Sequence, residues 1–260
     1  MKSSKKSNFC NDWVIPKEKE NHGNYKVIEL KEIENSRKQI EFHLKTSLIH
    51  YYIDPEVFEN PQSTLEYKFE DLEFYLSHKL PKSDETRKGD FGEIFGTEFL
   101  KQKYGYCFPL NKFNDKYNKD SAPHGEDILG FMHENGDIIC LCICESKTYK
   151  QYATKVLNKA CKQLKDSNIE PKSLIRIYEE LLRIDVVLAN NILKVMREEM
   201  LTIEKHNWIF FILENRSIKI FKKHNCLNSI DNLKLVYFHL KDLTQFVNNL
   251  YDNYGDIFDD

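Results

Sequence analysis

The chain has 260 residues, of which 41% are hydrophobic and 13% aromatic, and its formal net charge at pH 7 is −3. This composition supports a buried core and excludes a chain that is disordered over most of its length. The slightly negative charge argues against a protein that binds bare nucleic acid through its overall charge, so a basic surface would have to be local.

The sequence also bears on the compartment of the protein. It shows no apolar run long enough for a membrane span, and its basic N-terminus lacks the apolar stretch of a secretory signal. Of the seven cysteines, Cys140, Cys142 and Cys144 alternate along one predicted strand and would share a face. Neighbours on a straight strand cannot surround a zinc ion tetrahedrally, so reduced, buried thiols in a cytoplasmic protein are expected.

The N-terminal third gives mixed signals. Residues 1 to about 24 are polar and predict a loose arm. After them, KVIEL is a candidate strand, and LEYKFEDLEFYLSHKL has apolar residues at helical spacing. We therefore predict an N-terminal arm and elaboration over residues 1–80 and a main domain over residues 81–260.

A helix is predicted over residues 85–104, and Gly105 is its expected end. Gly89, Gly92 and Gly96 lie inside this helix, where each costs about 1 kcal/mol relative to alanine. Close approach of the helix to a sheet would compensate for that cost.

A short strand is expected next at CFPLN, residues 107–111, and then a hairpin of EDILGFM and DIICLCICESKTY around a turn at 134–136. The second hairpin strand is apolar on both faces, as in a central strand. The remaining predicted elements are helices at about 151–166 and 173–200 (broken near 189–191), strands at 208–214, 217–223 and 233–240, and a final helix from LTQFVNNLYDNY.

One cluster carries chemistry: Asp127 in HGEDILGF, and Glu145 and Lys147 eighteen and twenty positions later in CESK. Side chains alternate along a strand, so Glu145 and Lys147 emerge on the same face. A turn at 134–136 pairs residues whose numbers sum to about 270, which places Asp127 beside residues 143–145. The hairpin therefore predicts that the three side chains meet.

These residue types are typical of a metal-dependent phosphodiesterase. Two carboxylates bind a hard cation such as Mg²⁺ or Mn²⁺, and a lysine orients the attacking water or stabilises the phosphate charge. Glu93, on the preceding helix in RKGDFGEIFG, could complete the metal shell or hold a metal-bound water, and Asp90, one helical turn earlier, has a similar claim. The alternatives are an ordinary salt bridge on the surface and a solvent-facing Glu93.

Two features could contact a nucleic acid. Lys150, Lys155, Lys159 and Lys162 form a row that could follow a DNA backbone through sequence-independent contacts. A solvated helix face is the more common meaning of such a row. His124, just before the acidic strand, could contact phosphate or act as an acid.

The order of these motifs resembles the PD-(D/E)XK nuclease core, with Glu93 on a helix, Asp127 and Glu145-x-Lys147 on strands, and a helix after them. More specifically, KGDFGEIFG, HGEDILGF and ICESK are similar to the HamA nuclease subunit of Hachiman anti-phage defence systems. The motifs span about residues 85–165. Glu126 stands where the superfamily motif has a proline, which many of its members also lack.

This resemblance implies an α/β fold with a restriction-endonuclease-like core, in which helices flank a mixed central sheet. It implies a Mg²⁺-dependent deoxyribonuclease in the prokaryotic cytoplasm, restrained and delivered by a HamB-like superfamily 2 helicase. Glu93, Asp127, Glu145 and Lys147 would be its catalytic set, the three carboxylates its metal ligands. Two alternatives stay open: a non-catalytic adaptor that binds a helicase or nucleic acid, and a restriction or repair nuclease that acts alone.

Overall fold

A computed structural model describes residues 9–19, 24–53, 69–114, 116, 118–121, 125–169 and 171–252. Its strands are β1 (Val14–Glu18), β2 (Tyr25–Glu32), β3 (Ile128–Glu134), β4 (Asp137–Tyr149), β5 (Glu204–Leu213) and β6 (Leu233–His239). Its α-helices are α1 (Phe9–Trp13), α2 (Arg37–His50), α3 (Phe69–Lys79), α4 (Asp84–Tyr104), α5 (Thr154–Ile169), α6 (Leu174–Ile184), α7 (Val186–Lys194) and α8 (Leu243–Asp252). A π-helical turn (Val195–Glu199) and two short 3-10 helices (Ile218–Phe221 and Leu227–Ser229) complete the described elements.

The strands form one six-stranded sheet in the order β1-β2-β6-β5-β4-β3. The four inner strands are parallel to one another, and the edge strands β1 and β3 are antiparallel to their neighbours. Parallel neighbours need long crossovers, and the helices supply them. The predicted mixed α/β fold with a helix-flanked central sheet is confirmed.

Strand β4 is buried on both faces, as its apolar sequence predicts. The thiols of Cys140, Cys142 and Cys144 join the core beneath α4 and α8, and Leu141 and Ile143 join the core beneath α5, α6 and α7. The three cysteines therefore share one face of the sheet, as predicted.

Helix α4 has the predicted bounds because both of its ends are capped. The Ser83 hydroxyl accepts a hydrogen bond from the backbone N–H of Thr86 at 3.2 Å, and Gly105 ends the helix at φ 76°. A Cβ added at Gly92 would lie 2.8 Å from Ser146 Oγ on β4, and one at Gly96 would lie 2.7 Å from Ile128 Cδ1. Close approach to the sheet thus explains Gly92 and Gly96, whereas Gly89 has open space around its Cβ position.

The prediction of a loose arm over residues 1–24 is wrong where the structure describes that segment. Residues 9–18 form α1 and β1, and Trp13 is fully buried between the rings of Phe95 and Phe238, at 5.2 and 5.3 Å. A few large side chains such as Trp13 anchor this segment to the core. Because so few residues do so, the sequence shows no strong apolar periodicity there. Helix α2 was not predicted either, and residues 1–8 and 253–260 lie outside the described ranges.

Two predicted strands are absent from the described chain. Residues 107–111 make only an isolated bridge, between Cys107 and Phe131, since Pro109 has no N–H to donate to a ladder. In the segment 217–223 a 3-10 helix forms, because β5 already has β4 and β6 as partners.

The long helix predicted over residues 173–200 breaks at a different place. Asp185, at φ −154°, ends α6, and its side chain accepts a hydrogen bond from Leu188 N at 2.9 Å to cap α7. The predicted break at 189–191 is wrong, since those residues lie inside α7.

Strands β1 and β2 belong to the N-terminal elaboration yet share the sheet of residues 81–260, and the division at residue 80 stays a prediction. In the part of the chain that the structure describes, the helices are too short or too polar to cross a bilayer.

Candidate active site

The β3–β4 hairpin brings the acidic residues together. Its turn uses Asn135 and Gly136, both with positive φ, as tight hairpins prefer. A bulge after Met132 shifts the register, and beyond it Ile128 pairs with Cys144. Asp127, one residue before β3, therefore lies opposite Glu145.

At this end of the hairpin one ammonium group joins two carboxylates. Lys147 Nζ donates hydrogen bonds to Asp127 Oδ2 at 2.9 Å and to Glu145 Oε2 at 2.8 Å. The Ser146 N–H donates a further bond to Asp127 Oδ2 at 2.8 Å. The structure thus places these three candidate residues in mutual contact.

Burial makes the electrostatics of this cluster strong. Glu145 is 2% exposed, and burial together with the charge of Asp127 raises the pKa of Glu145 to about 8. Burial alone would raise the pKa of Asp127, but Lys147, Lys112 and the hydrogen bonds hold that pKa below its usual value. Burial would lower the pKa of Lys147, yet its two carboxylate partners raise that pKa. When both carboxylates are ionised, their two negative charges therefore exceed the single positive charge of Lys147.

Glu93 faces inward from α4 but meets a lysine, not the two carboxylates. Its Oε2 lies 2.5 Å from Nζ of Lys112. Burial raises the pKa of Glu93 to about 7, with Lys112 opposing that rise and the charge of Asp127 adding to it. Lys112 Nζ also donates to the carbonyl oxygens of Glu126, at 3.0 Å, and of Asp127. Lys112 links Glu93 to the cluster.

Sequence reasoning missed Lys112. It stands in a polar loop where lysine, asparagine and aspartate are common, and no period or spacing distinguishes it.

Asp90, the other candidate on α4, pairs with a different lysine of this loop. Its carboxylate forms a buried ion pair with Lys116. Tyr52 also donates to Asp90 and contacts the hydroxyl of Tyr251 at 3.1 Å. Asp90 is therefore held by Lys116 and Tyr52, while its charge acts on Glu93 and Lys112 through space.

Glu126 has a structural role on the other side of Asp127. Its two carboxylate oxygens accept hydrogen bonds from the N–H groups of Lys172, at 2.8 Å, and Ser173, at 2.9 Å. These residues immediately precede α6, so the carboxylate sits at a helix N-terminus, where a negative charge is favourable. Glu126 thereby holds the segment that leads into Asp127.

The proposed DNA-binding row lies on the surface. Lys150, Lys155, Lys159 and Lys162 are all exposed, the last three on α5. Their contact with DNA stays a prediction. His124 lies outside the described residues.

The donor set suits a small hard cation. Within the described ranges, three or more histidine, cysteine, aspartate or glutamate side chains do not gather at one point. Magnesium, however, is commonly held by one or two carboxylates, with water and substrate phosphate completing its shell. Glu145 is buried, Asp127 beside it is partly buried, and their two negative charges exceed the single positive charge of Lys147, so the pair fits such an ion.

Comparison with known proteins extends the similarity beyond the motifs. The model of the HamA family matches residues 6–253. The Hachiman protein HamA of Bacillus cereus is 27% identical to this chain over 210 residues, which cover 79% of this chain and 75% of that protein. The family match includes the N-terminal strands β1 and β2 as well as the β3–β4 hairpin. This chain therefore belongs to the HamA family.

Proposed function

We propose that this protein is a metal-dependent DNA nuclease with a PD-(D/E)XK core, acting as the effector subunit of an anti-phage defence complex. The observation that carries the proposal is the pair of the buried Glu145 and the partly buried Asp127, which share the ammonium of Lys147 near the end of an inner strand. Membership of the HamA family and a relative named Hachiman protein HamA support the defence role.

In this proposal Asp127 and Glu145 would hold Mg²⁺ or Mn²⁺, and Glu93 would assist from α4. The ion would supply a Lewis acid for the phosphate oxygens of DNA. Lys147, with its raised pKa, keeps its proton and donates hydrogen bonds to the attacking water or to the charged phosphate. Burial of the cluster strengthens each of these interactions.

Delivery of DNA is part of the same proposal. The net charge of −3 does not favour capture of free DNA, so a HamB-like superfamily 2 helicase would bring the substrate in the prokaryotic cytoplasm. The exposed lysine row on and before α5 would then contact the backbone.

The test is cleavage of plasmid DNA with Mg²⁺ by the purified protein, with and without the product of the neighbouring gene. Because Glu145→Gln and Lys147→Met remove groups used in the reaction, each should lower the cleavage rate by about 100-fold or more. Circular dichroism should show an unchanged fold, and Lys223→Met, at an exposed position outside the lysine row, is the matched control. Metal-dependent cleavage retained in both site variants would refute the assignment. Cleavage without the neighbour would instead favour a nuclease that acts alone.

A non-catalytic adaptor is the second candidate, because the pairing of Lys147 with the two carboxylates could also serve as a structural salt bridge. Calorimetric titration of the protein with Mg²⁺ separates the two functions. A nuclease should bind the ion in a way that Asp127→Asn abolishes, whereas an adaptor should show no binding at this site.

A further inference from the structure

Strand β4 holds the side chain of Asp127, but the backbone of Asp127 lies outside the strand ladder. The β3–β4 ladder begins at Ile128, one residue later. The Glu126 carboxylate anchors one side of this segment, and Lys112 anchors the backbone itself, because its ammonium donates to the carbonyl oxygens of two consecutive residues, Glu126 and Asp127. A shift of this lysine would therefore move the carboxylate that faces Glu145 and Lys147.

Lys112 itself is held by α4. The lysine is 9% exposed, and a buried ammonium is costly unless an opposite charge pairs with it. Glu93 supplies that charge at 2.5 Å, and the Phe113 ring lies 5.7 Å from the ammonium. Contacts thus run from helix α4 through one lysine to the residue that precedes β3.

We propose that Lys112 is a positioning residue, which holds Asp127 against Glu145 and Lys147, and that Glu93 acts as its counterion. The catalytic part of this inference rests on the proposed nuclease function. It gives Glu93 a role through Lys112 rather than as a direct metal ligand.

The chain offers a matched control in Lys116. This lysine comes from the same loop, has a buried side chain, and pairs with Asp90, another carboxylate of the helix that carries Glu93. Lys112 donates to the backbone carbonyl oxygens of Glu126 and Asp127. The contacts described for Lys116 include no such bond to this segment. Removing either charge disturbs a buried ion pair, but only Lys112 touches the backbone at Asp127.

The experiment compares Lys112→Met with Lys116→Met in the full chain by two measurements. The first is amide hydrogen exchange of the metal-free protein. Lys112→Met should speed exchange over residues 126–130 by about 10-fold and leave β5 and β6 unchanged. Lys116→Met should leave residues 126–130 at the wild-type rate.

The second measurement is steady-state cleavage of DNA. Lys112→Met should lower kcat by roughly 10- to 100-fold, with KM for DNA within about two-fold of the wild type, because the loss is one of alignment. Lys116→Met should leave kcat within about two-fold. Lys112→Arg, which keeps the charge and its donors, should restore part of kcat.

Wild-type exchange over residues 126–130 in Lys112→Met would overturn the proposal. So would an unchanged kcat with a raised KM, since that result places Lys112 on the DNA. If Lys112→Met does not fold, Glu93→Gln replaces it, and unchanged exchange over 126–130 in that variant overturns the proposal equally. If the wild type does not cut DNA, the nuclease function fails, while the exchange measurement still decides whether Lys112 holds Asp127.

Discussion

At the residue scale, the site divides into a part that the sequence predicts and a part that it does not. Strand alternation and hairpin register were enough to predict that Asp127, Glu145 and Lys147 meet, because both rules are local. Lys112 could not be predicted, since its partners come from a distant helix and from backbone carbonyls. The role of Glu93 in a metal shell stays a prediction, and its contact with Lys112 was not predicted because it depends on how the loop packs.

Titration of Glu145 gives a pH prediction for the metal-free protein. Its pKa is about 8 in the folded state against an ordinary 4.5, so the native state binds more protons between those values. Protonation of Glu145 contributes its full stabilisation to the folded state below pH 4.5, and this contribution is lost as the pH rises through 8. The free energy of unfolding falls by at most about 1.4 kcal/mol per pH unit for one proton. Glu93, with a pKa raised to about 7, acts in the same direction. The lowered pKa of Asp127 acts oppositely, at more acidic pH.

Urea unfolding at a series of pH values between 4.5 and 8 would measure this dependence. Glu145→Gln should unfold with a much smaller slope than the wild type, and saturating Mg²⁺ should flatten the wild-type curve. Equal slopes in the two proteins would contradict the assignment of the proton to Glu145.

At the element scale, caps and breakers predicted boundaries well, and pairing decided where they failed. Gly105 ends α4, as predicted, whereas the cap that Ser83 forms at the start of α4 was not predicted. The break at Asp185 was missed because an aspartate inside an amphipathic pattern is ordinary, and only its φ of −154° makes it a cap. Residues 217–223 look like a strand but find no free edge beside β5, a condition that local sequence does not reveal.

Two glycines of α4 should respond oppositely to alanine. Gly92→Ala places a Cβ against the Ser146 and Thr148 side chains of β4. It should lower the free energy of unfolding by about 1–3 kcal/mol. Gly89→Ala meets open space and should stabilise the protein by up to about 1 kcal/mol through helix propensity. Thermal or urea unfolding of both variants checks this pair, and equal effects would mean that α4 does not approach β4 as closely as described.

At the scale of the whole molecule, the N-terminal segment was the hardest part to predict. Strand β2 pairs in parallel with β6, and Tyr25 lies opposite Leu233, so the contact spans most of the chain. No local pattern encodes such a pairing. Trp13 connects this segment to the core, because its ring packs on α4 and β6 and its Nε1 donates to Glu32 at 2.9 Å.

Replacement of Trp13 should show that the N-terminal segment is part of the core. Trp13→Ala should cost about 3–5 kcal/mol, because a fully buried aromatic side chain leaves a cavity. Ile15→Ala, two residues later on β1 and 56% exposed, should change stability by less than about 0.5 kcal/mol. Similar losses for both variants in urea unfolding would argue against the described packing of residues 9–18.

The rate at which a reagent labels the three buried thiols beneath α4 measures how often the protein opens at strand β4. Cys140, Cys142 and Cys144 are at most 2% exposed, and burial raises the pKa of each, so a thiol reagent can modify them only when β4 separates from its neighbours. They lie on β4, the strand that also carries Glu145 and Lys147. Their labelling rate therefore times the loosening of that strand in the unaltered chain, and it would register any partner that tightens or releases it.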